Sequence, residues 1–283
     1  AAVKWFPPEK HGLVIGIVVG GVGMAAVYVA PLTEFLLNSE SFGLQGTFRT
    51  LGIAFSVAII LFAQLLKNPP DKDAENRRAT NSAFREKESR DNFCWKDMLK
   101  TPQFYLLWTM FFFGAGAGLM VISFAKSMAV GSIKEIGFAL VIALSAGNAG
   151  GRVVSGLVSD KIGRIRAMLI VFVFQAATLA AMSALSSSPA AVMAGVVLVG
   201  FNYGSCLSLF PAITADYFGL KNLGANYGVL YTAWGVGAIF ATVAGKIKVA
   251  TGSYTPAMAL AAVLCLVAAA LSLLVKTPSA KSA

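Results

Sequence analysis

The chain has 283 residues, of which 57% are hydrophobic and only 13% are charged, and its formal net charge is +10. A soluble domain of this size would carry about 25% charged residues, so the composition excludes an ordinary water-soluble protein and indicates an integral membrane protein. One histidine and three scattered cysteines leave almost no material for a zinc site, a His-based catalytic triad or a disulfide framework. The sequence therefore predicts no enzyme, no cofactor and no bound metal.

Hydrophobic segments long enough to cross a bilayer, which takes about 20 residues, recur along the whole chain. In chain order, the eight segments are Leu13–Leu37, Thr50–Leu66, Phe104–Ala125, Ile136–Val158, Ala167–Leu185, Ala190–Ala215, Ala225–Gly245 and Pro256–Val275. Short turns join most of them. The predicted fold is therefore an all-α bundle of eight transmembrane helices.

One connection differs from the others in its charge. Residues 67–102 contain nine Lys or Arg and seven Asp or Glu, which predicts a solvated linker. This linker separates residues 1–66, which hold two of the predicted helices, from residues 103–283, which hold the other six.

The distribution of Lys and Arg predicts the orientation, because cytoplasmic loops of membrane proteins carry an excess of these residues. If both termini and the linker are cytoplasmic, 17 of the 23 basic residues lie on that side of the plasma (inner) membrane. The positive charge is therefore a topology signal that requires no nucleic-acid partner. We expect a monomer whose partners are the lipid bilayer and a small solute.

An internal repeat relates the first predicted helix to the seventh. A shift of 212 residues places Phe6 on Phe218 and Gly12 on Gly224, and two further glycines also coincide. The repeat unit is then six helices, and repeated six-helix halves are the plan of a large class of transporters. In that plan the first predicted helix is the fifth of a first half. We therefore expect four preceding helices and interpret the chain as a fragment with eight helices of twelve.

A glycine face marks the first predicted helix. Gly12, Gly16 and Gly20 recur at intervals of four residues and lie on the same side. Small residues at this spacing let two helix backbones approach closely. We expect this face to pack against another helix.

Arg152 is the one charged residue in the middle of a predicted membrane segment. A charge in hydrocarbon is costly unless it faces a polar cavity, so Arg152 is a candidate functional residue. The alternative is snorkelling, in which the long side chain extends towards the end of the segment that Lys161 follows and reaches the headgroups. Asn148 lies one turn away on the same face, where it can hydrogen-bond a substrate or hold the arginine.

A motif, Gly156-x-x-x-Asp160-x-x-Gly163-Arg164, ends the segment that contains Arg152. Asp160 can pair with cations or cap a neighbouring helix. Gly163 can make the turn, and Arg164 can meet a carboxylate. Such a cluster can hold one access state and release it in the other. We call these four residues the gating motif. They match a loop motif of the major facilitator superfamily, which also lies between the second and third helices of the second half.

More closely, the chain resembles the oxalate/formate antiporter family within that superfamily. The resemblance covers essentially the whole chain. It rests on Lys4-Trp5-Phe6-Pro7, Asn148-x-x-x-Arg152, Phe201-Asn202-Tyr203-Gly204, Leu209-Phe210-Pro211-Ala212-Ile213, Asp216-Tyr217-Phe218-Gly219 and residues 224–235. It implies a twelve-helix transporter that works by alternating access.

The resemblance also implies a substrate site. In this family the arginine that matches Arg152 binds the substrate carboxylate, to which a guanidinium fork is well suited. Tyr203 and Tyr231 match aromatic positions that line the site, although packing or interfacial anchoring is an alternative for both. The oxalate exchangers carry a lysine where this chain has Trp234. A single cation with aromatic walls suits a monoanion better than a dianion.

We therefore expect a secondary transporter of a small organic anion, a monocarboxylate of the formate, lactate or pyruvate type. The alternatives are exchange of oxalate or another dicarboxylate, transport of a different small solute, and a membrane sensor that binds without transporting. No acidic residue lies in the core of a predicted segment, which favours exchange or facilitated movement over proton coupling.

Overall fold

A computed structural model of the chain describes residues 5–6, 10–39, 41–67, 92–128, 137–185 and 188–278. Over these residues the chain forms α-helices and no strand. The helices are α1 (His11–Gly23), α2 (Ala25–Leu37), α3 (Gly43–Ala63), α4 (Trp95–Met98), α5 (Pro102–Met128), α6 (Gly137–Ile162), α7 (Arg164–Ala184), α8 (Pro189–Phe218), α9 (Leu223–Gly237), α10 (Ile239–Thr251) and α11 (Thr255–Ser272). Most of the predicted linker, residues 68–91, lies outside the described residues.

Within the described residues, eight stretches are long and apolar enough to cross a membrane. Two of them consist of two helices each, α1 with α2 and α9 with α10. The other six are α3, α5, α6, α7, α8 and α11. The prediction of an all-α bundle with eight membrane helices is confirmed.

The second span is longer than its prediction. It begins at Gly43 rather than at Thr50. Polar residues lower the hydropathy before Thr50, but the helical hydrogen bonding continues through them, and the Thr47 hydroxyl donates to the Gly43 carbonyl at 2.7 Å. Hydropathy detects the apolar centre of a helix and misses a polar end.

The two composite spans correspond in position. The first begins at His11 and the second at Leu223, so the 212-residue shift that aligns their sequences also aligns their first residues. Each is interrupted about midway, after Gly23 in the first and after Gly237 in the second.

Glycine backbones let α6 pack closely against both α1 and α8. An ideal Cβ on Gly16 of α1 would lie 2.4 Å from the Arg152 carbonyl oxygen, a distance at which no side chain fits. On the other side, a Cβ on Gly151 would lie 1.9 Å from the carbonyl oxygen of Phe201 on α8. The predicted packing of the glycine face of α1 is confirmed, and its partner is the helix that carries Arg152.

Apolar side chains of α5, α7, α8 and α11 form the protein core, which includes the fully buried Phe111, Phe172 and Phe210. The helix α3 differs, because large side chains such as Phe48 and Phe62 are exposed on its surface. Exposed apolar side chains over a whole helix are expected where the surroundings are lipid tails or other helices rather than water.

Candidate functional site

Arg152 is buried within α6, with 3% of its surface exposed. Its Nε donates to Asn148 Oδ1 at 2.9 Å, and its Nη1 donates to the carbonyl oxygen of Val19 on α1 at 2.6 Å. Both acceptors lie inside membrane spans. The guanidinium therefore does not extend towards the end of α6, which is the direction that snorkelling requires.

The guanidinium of Arg152 has N–H groups that donate to no described residue. A guanidinium carries five N–H groups, and the bonds to Asn148 and Val19 use two of them. Within the described part of the chain, Nη2 donates to no residue and no carboxylate forms an ion pair with Arg152. An unpaired charge at this depth is costly. An anion that reaches Arg152 would therefore neutralise the charge and accept hydrogen bonds from the unused N–H groups.

Arg152 faces a cavity of about 430 Å³ between α1, α6, α8 and α9. The other residues that line it are Val14, Ile15, Val18, Val19, Val22, Leu207, Pro211, Leu223, Gly224, Tyr227 and Tyr231. Besides Arg152, only Tyr227 and Tyr231 bring polar side-chain atoms, and neither hydroxyl hydrogen-bonds to another described residue. The cavity therefore combines one cation and two phenols with aliphatic walls.

Aromatic contacts fix the rings of α9. The ring of Tyr231 stacks on Trp234 with centroids 5.1 Å apart, and it meets Phe111 of α5 edge-on at 5.8 Å. The indole Nε1 of Trp234 donates to the hydroxyl of Tyr203 on α8 at 2.8 Å. These contacts join α5, α8 and α9 beside the cavity.

The predicted substrate residues divide into those that line the cavity and those that do not. Arg152 and Tyr231 line the cavity directly. Asn148, Tyr203 and Trp234 are not among the lining residues. Asn148 holds the Arg152 side chain through its Oδ1, which is the second of the two roles considered for it.

Two contributors to this site were not predicted from the sequence. Tyr227 lines the cavity one turn before Tyr231, and this four-residue spacing on one helix face is the signal that could have found it. The carbonyl of Val19 accepts from Arg152. Because every residue has a carbonyl, no sequence signal could have found that contact.

Asp160 caps the first turn of α1. Its Oδ1 accepts from the Gly12 N–H at 3.0 Å, and its Oδ2 accepts from the Leu13 N–H at 2.8 Å. These N–H groups have no partner within their own helix, and a carboxylate at a helix N-terminus also meets the positive end of the helix dipole. Asp160 thus joins the end of α6 to the start of α1.

Arg164 completes this cluster. Its Nη1 donates to Asp160 Oδ1 at 2.6 Å, and its Nε donates to Asp216 Oδ2 at 2.8 Å. The side chains of Arg164 and Asp160 are 9% and 8% exposed. Asp216 was not among the predicted site residues, although it is the one acidic residue in α8 and lies near its end.

The two motif glycines have backbone roles. Gly163, between α6 and α7, has a φ of +91°, which glycine adopts more readily than other residues. A Cβ on Gly156 would lie 2.3 Å from the carbonyl oxygen of Gly12, so only glycine lets α1 come this close. The cluster at the first turn of α1 therefore brings Gly156, Asp160 and Arg164 together, with Gly163 as the bend that returns Arg164 to it.

Comparison with known proteins gives consistent results. A family model of the Major Facilitator Superfamily matches residues 1–131 and 125–283. The chain is 32% identical over 243 residues to the uncharacterized MFS-type transporter YhjX of Escherichia coli, covering 84% of this chain and 57% of that protein. It is 32% identical over 246 residues to the oxalate:formate antiporter of Oxalobacter formigenes, covering 84% and 55%. With apicoplast pyruvate carrier 1 of Toxoplasma gondii, the identity is 26% over 292 residues, covering 81% and 52%.

The chain thus spans about half the length of these curated relatives. The two matched ranges of the family model together include every residue of the chain. The eight apolar spans agree with a membrane protein of this type. The expected resemblance is confirmed: the chain belongs to the Major Facilitator Superfamily of membrane transporters.

Proposed function

We propose that this chain forms part of a secondary transporter that moves a small organic anion, a monocarboxylate of the formate, lactate or pyruvate type, by alternating access. The observation that carries this proposal is Arg152. It is a buried cation inside a membrane span, it has unused donors, and it faces a cavity. A carboxylate offers planar oxygen acceptors to such a group and neutralises its charge.

The composition of the cavity supports one carboxylate rather than two. Arg152 is the one cation among its lining residues in the described chain, and the nine remaining residues besides the two tyrosines are apolar. A dianion would leave its second carboxylate against aliphatic walls, where an unpaired charge is costly. The names of two relatives, an oxalate:formate antiporter and a pyruvate carrier, fit a carboxylate substrate.

Exchange of oxalate or another dicarboxylate is the second candidate. The 32% identity to the oxalate:formate antiporter favours it. It requires a second cation beyond the cavity residues described above, so the relative affinities for oxalate and pyruvate distinguish the two candidates.

We assign the gating motif to the conformational cycle rather than to binding. In the repeat interpretation, α1 belongs to the half within residues 1–66, and α6 belongs to the half within residues 103–283, with residues 67–102 as linker. The hydrogen bonds from Gly12 and Leu13 to Asp160 then connect the two halves at one membrane face. We infer that this face is the cytoplasmic face of the plasma membrane, as is the location of both termini and the linker, and that the transporter acts as a monomer.

The test of the substrate proposal is Arg152→Lys, which keeps the charge and removes the guanidinium fork. We expect carboxylate binding to weaken by about 1–3 kcal/mol, roughly 5- to 150-fold. Equilibrium binding of formate, lactate, pyruvate and oxalate to the protein in lipid nanodiscs measures the loss. Arg166→Lys is the matched control, because Arg166 is an exposed arginine at the start of α7. Equal binding by the Arg152 variant and the wild type would overturn the proposal.

A further inference from the structure

The hydrogen bond between Trp234 and Tyr203 has a fixed direction. An indole N–H can only donate, so the Tyr203 oxygen is the acceptor at 2.8 Å. Tyr203 itself is more than nine-tenths buried, with 8% exposed. Its own hydroxyl proton has no acceptor within the described part of the chain. A buried phenol thus retains one unused donor.

The unused donor of Tyr203 lies beside the cavity. Tyr203 is one turn before Leu207 and two turns before Pro211, and both of these residues line the cavity from the same face of α8. On α9, Trp234 follows the lining residue Tyr231 by three residues. The hydrogen-bonded pair therefore lies within one turn of lining residues on both α8 and α9.

Both rings of the pair are held from behind. A Cβ on Gly118 of α5 would lie 2.7 Å from Cδ2 of the Tyr203 ring, so the missing side chain of Gly118 is what makes room for the phenol. The indole of Trp234 stacks on Tyr231, with an angle of 16° between the ring planes. The Tyr203 ring therefore cannot retract, and the freedom that remains is rotation of its hydroxyl hydrogen.

We propose that Trp234 is a positioning residue that acts on the substrate through Tyr203. This inference rests on the proposed function of Arg152. With the indole N–H at the phenol oxygen, Tyr203 presents its O–H to the carboxylate that Arg152 holds. The carboxylate has acceptor positions on two oxygens, so a guanidinium on one side leaves positions for a phenol. Without the indole N–H, no described hydrogen bond orients the Tyr203 hydroxyl, so its O–H is held less well towards the carboxylate.

The experiment is a double-mutant cycle on pyruvate binding to the protein in nanodiscs. Trp234→Phe removes the indole N–H and keeps an aromatic ring against Tyr231. We expect it to weaken binding by about 3- to 10-fold, as for the loss of one hydrogen bond. In a Tyr203→Phe background, the same change should cost less than about twofold, because the cycle isolates interactions that pass through the shared partner.

Trp108→Phe is the matched control. Trp108 also donates its indole N–H to a hydroxyl on α9, that of Thr232 at 3.0 Å, but this bond is exposed and Trp108 does not line the cavity. This variant should bind pyruvate like the wild type.

Three outcomes decide between the claims. If Trp234→Phe binds pyruvate like the wild type while Arg152→Lys still loses affinity, the positioning role of Trp234 is wrong and the proposed function stands. Additive losses of pyruvate affinity in the Trp234 and Tyr203 variants also overturn the positioning role of Trp234, because each residue then acts separately. If pyruvate binding is independent of Arg152, the proposed function fails, and the positioning role of Trp234 fails with it.

Discussion

Replacing Asp160 with asparagine tests whether the gating motif controls the conformational state. The carboxylate accepts from two backbone N–H groups of α1 at 3.0 and 2.8 Å and pairs with Arg164 at 2.6 Å. Asparagine retains a single oxygen, and its NH₂ group then faces an N–H or the guanidinium, where two donors oppose each other. The state in which α1 is docked on α6 therefore loses one charge-assisted bond and the ion pair.

The magnitude follows from these contacts. A hydrogen bond to a charged group contributes about 1.5–3 kcal/mol, and a partly buried ion pair adds to this. Arg164 retains its second partner, Asp216, which limits the loss. We expect the docked state to lose about 2–4 kcal/mol, so the ratio of docked to separated molecules should fall by roughly 30- to 1,000-fold. Substrate affinity should change by no more than a few-fold, because Asp160 is about 12 Å from Arg152 along α6.

Spin labels measure this ratio directly. Labels on the exposed residues Lys10 and Arg166 lie at the starts of α1 and α7, so their distance increases when α1 leaves α6. Asp97→Asn is the control, because Asp97 also pairs with a basic residue, Lys100 at 3.0 Å, in an exposed position. An unchanged distance distribution combined with collapsed substrate affinity would refute the gating role of Asp160.

Two further predictions concern α6 and α9. Gly156→Ala should destabilise the docked state by about 1–3 kcal/mol in the spin-label assay, because the new Cβ would lie 2.3 Å from the Gly12 carbonyl oxygen. Gly150→Ala, whose Cβ meets nothing within 4 Å, should have no effect. Trp234→Lys adds a second cation beside Tyr203, so the ratio of oxalate to pyruvate affinity should rise in competition binding. An unaltered ratio would mean that the residue at position 234 of α9 does not determine the preference between monocarboxylates and dicarboxylates.

The sequence was sufficient for features that depend on local composition. Hydropathy located all eight spans, because an apolar stretch of this length has few other stable environments. The spacing of the α1 glycines predicted its packing face, since a four-residue period stays on one side of a helix. Arg152 was identifiable because a charge within an apolar span is rare enough to be informative by itself.

Contacts between distant parts of the chain were not predictable from these patterns. Asp160 was expected to cap a neighbouring helix, but the identity of that helix, which begins 149 residues earlier at His11, depends on tertiary packing. The pairing of Arg164 Nε with Asp216 Oδ2 at 2.8 Å also depends on tertiary packing, because 52 residues separate the two. Trp234 was expected as a wall of the site. It is not among the lining residues, and its N–H is bonded to Tyr203, a partner that sequence spacing cannot identify.

The gating motif should behave as one unit in energetic terms. Gly12 contacts two residues of the gating motif. The N–H of Gly12 donates to Asp160, and the carbonyl oxygen of Gly12 limits the space at Gly156. Once a Cβ at Gly156 has displaced α1, Asp160 no longer reaches both N–H groups. Asp160→Asn then costs the docked state less free energy than it does in the wild type. We therefore expect the combined effect of Gly156→Ala and Asp160→Asn on the docked state to be smaller than the sum by about 0.5–3 kcal/mol.

A distant pair provides the comparison. Asp160→Asn and Arg152→Lys change residues about 12 Å apart on α6, and they share no hydrogen-bond partner among the contacts given above. Their effects on the docked state should add within about 0.5 kcal/mol. Strict additivity in both pairs would mean that the motif residues act separately, and the close approach of α1 to α6 would then have no part in holding the docked state.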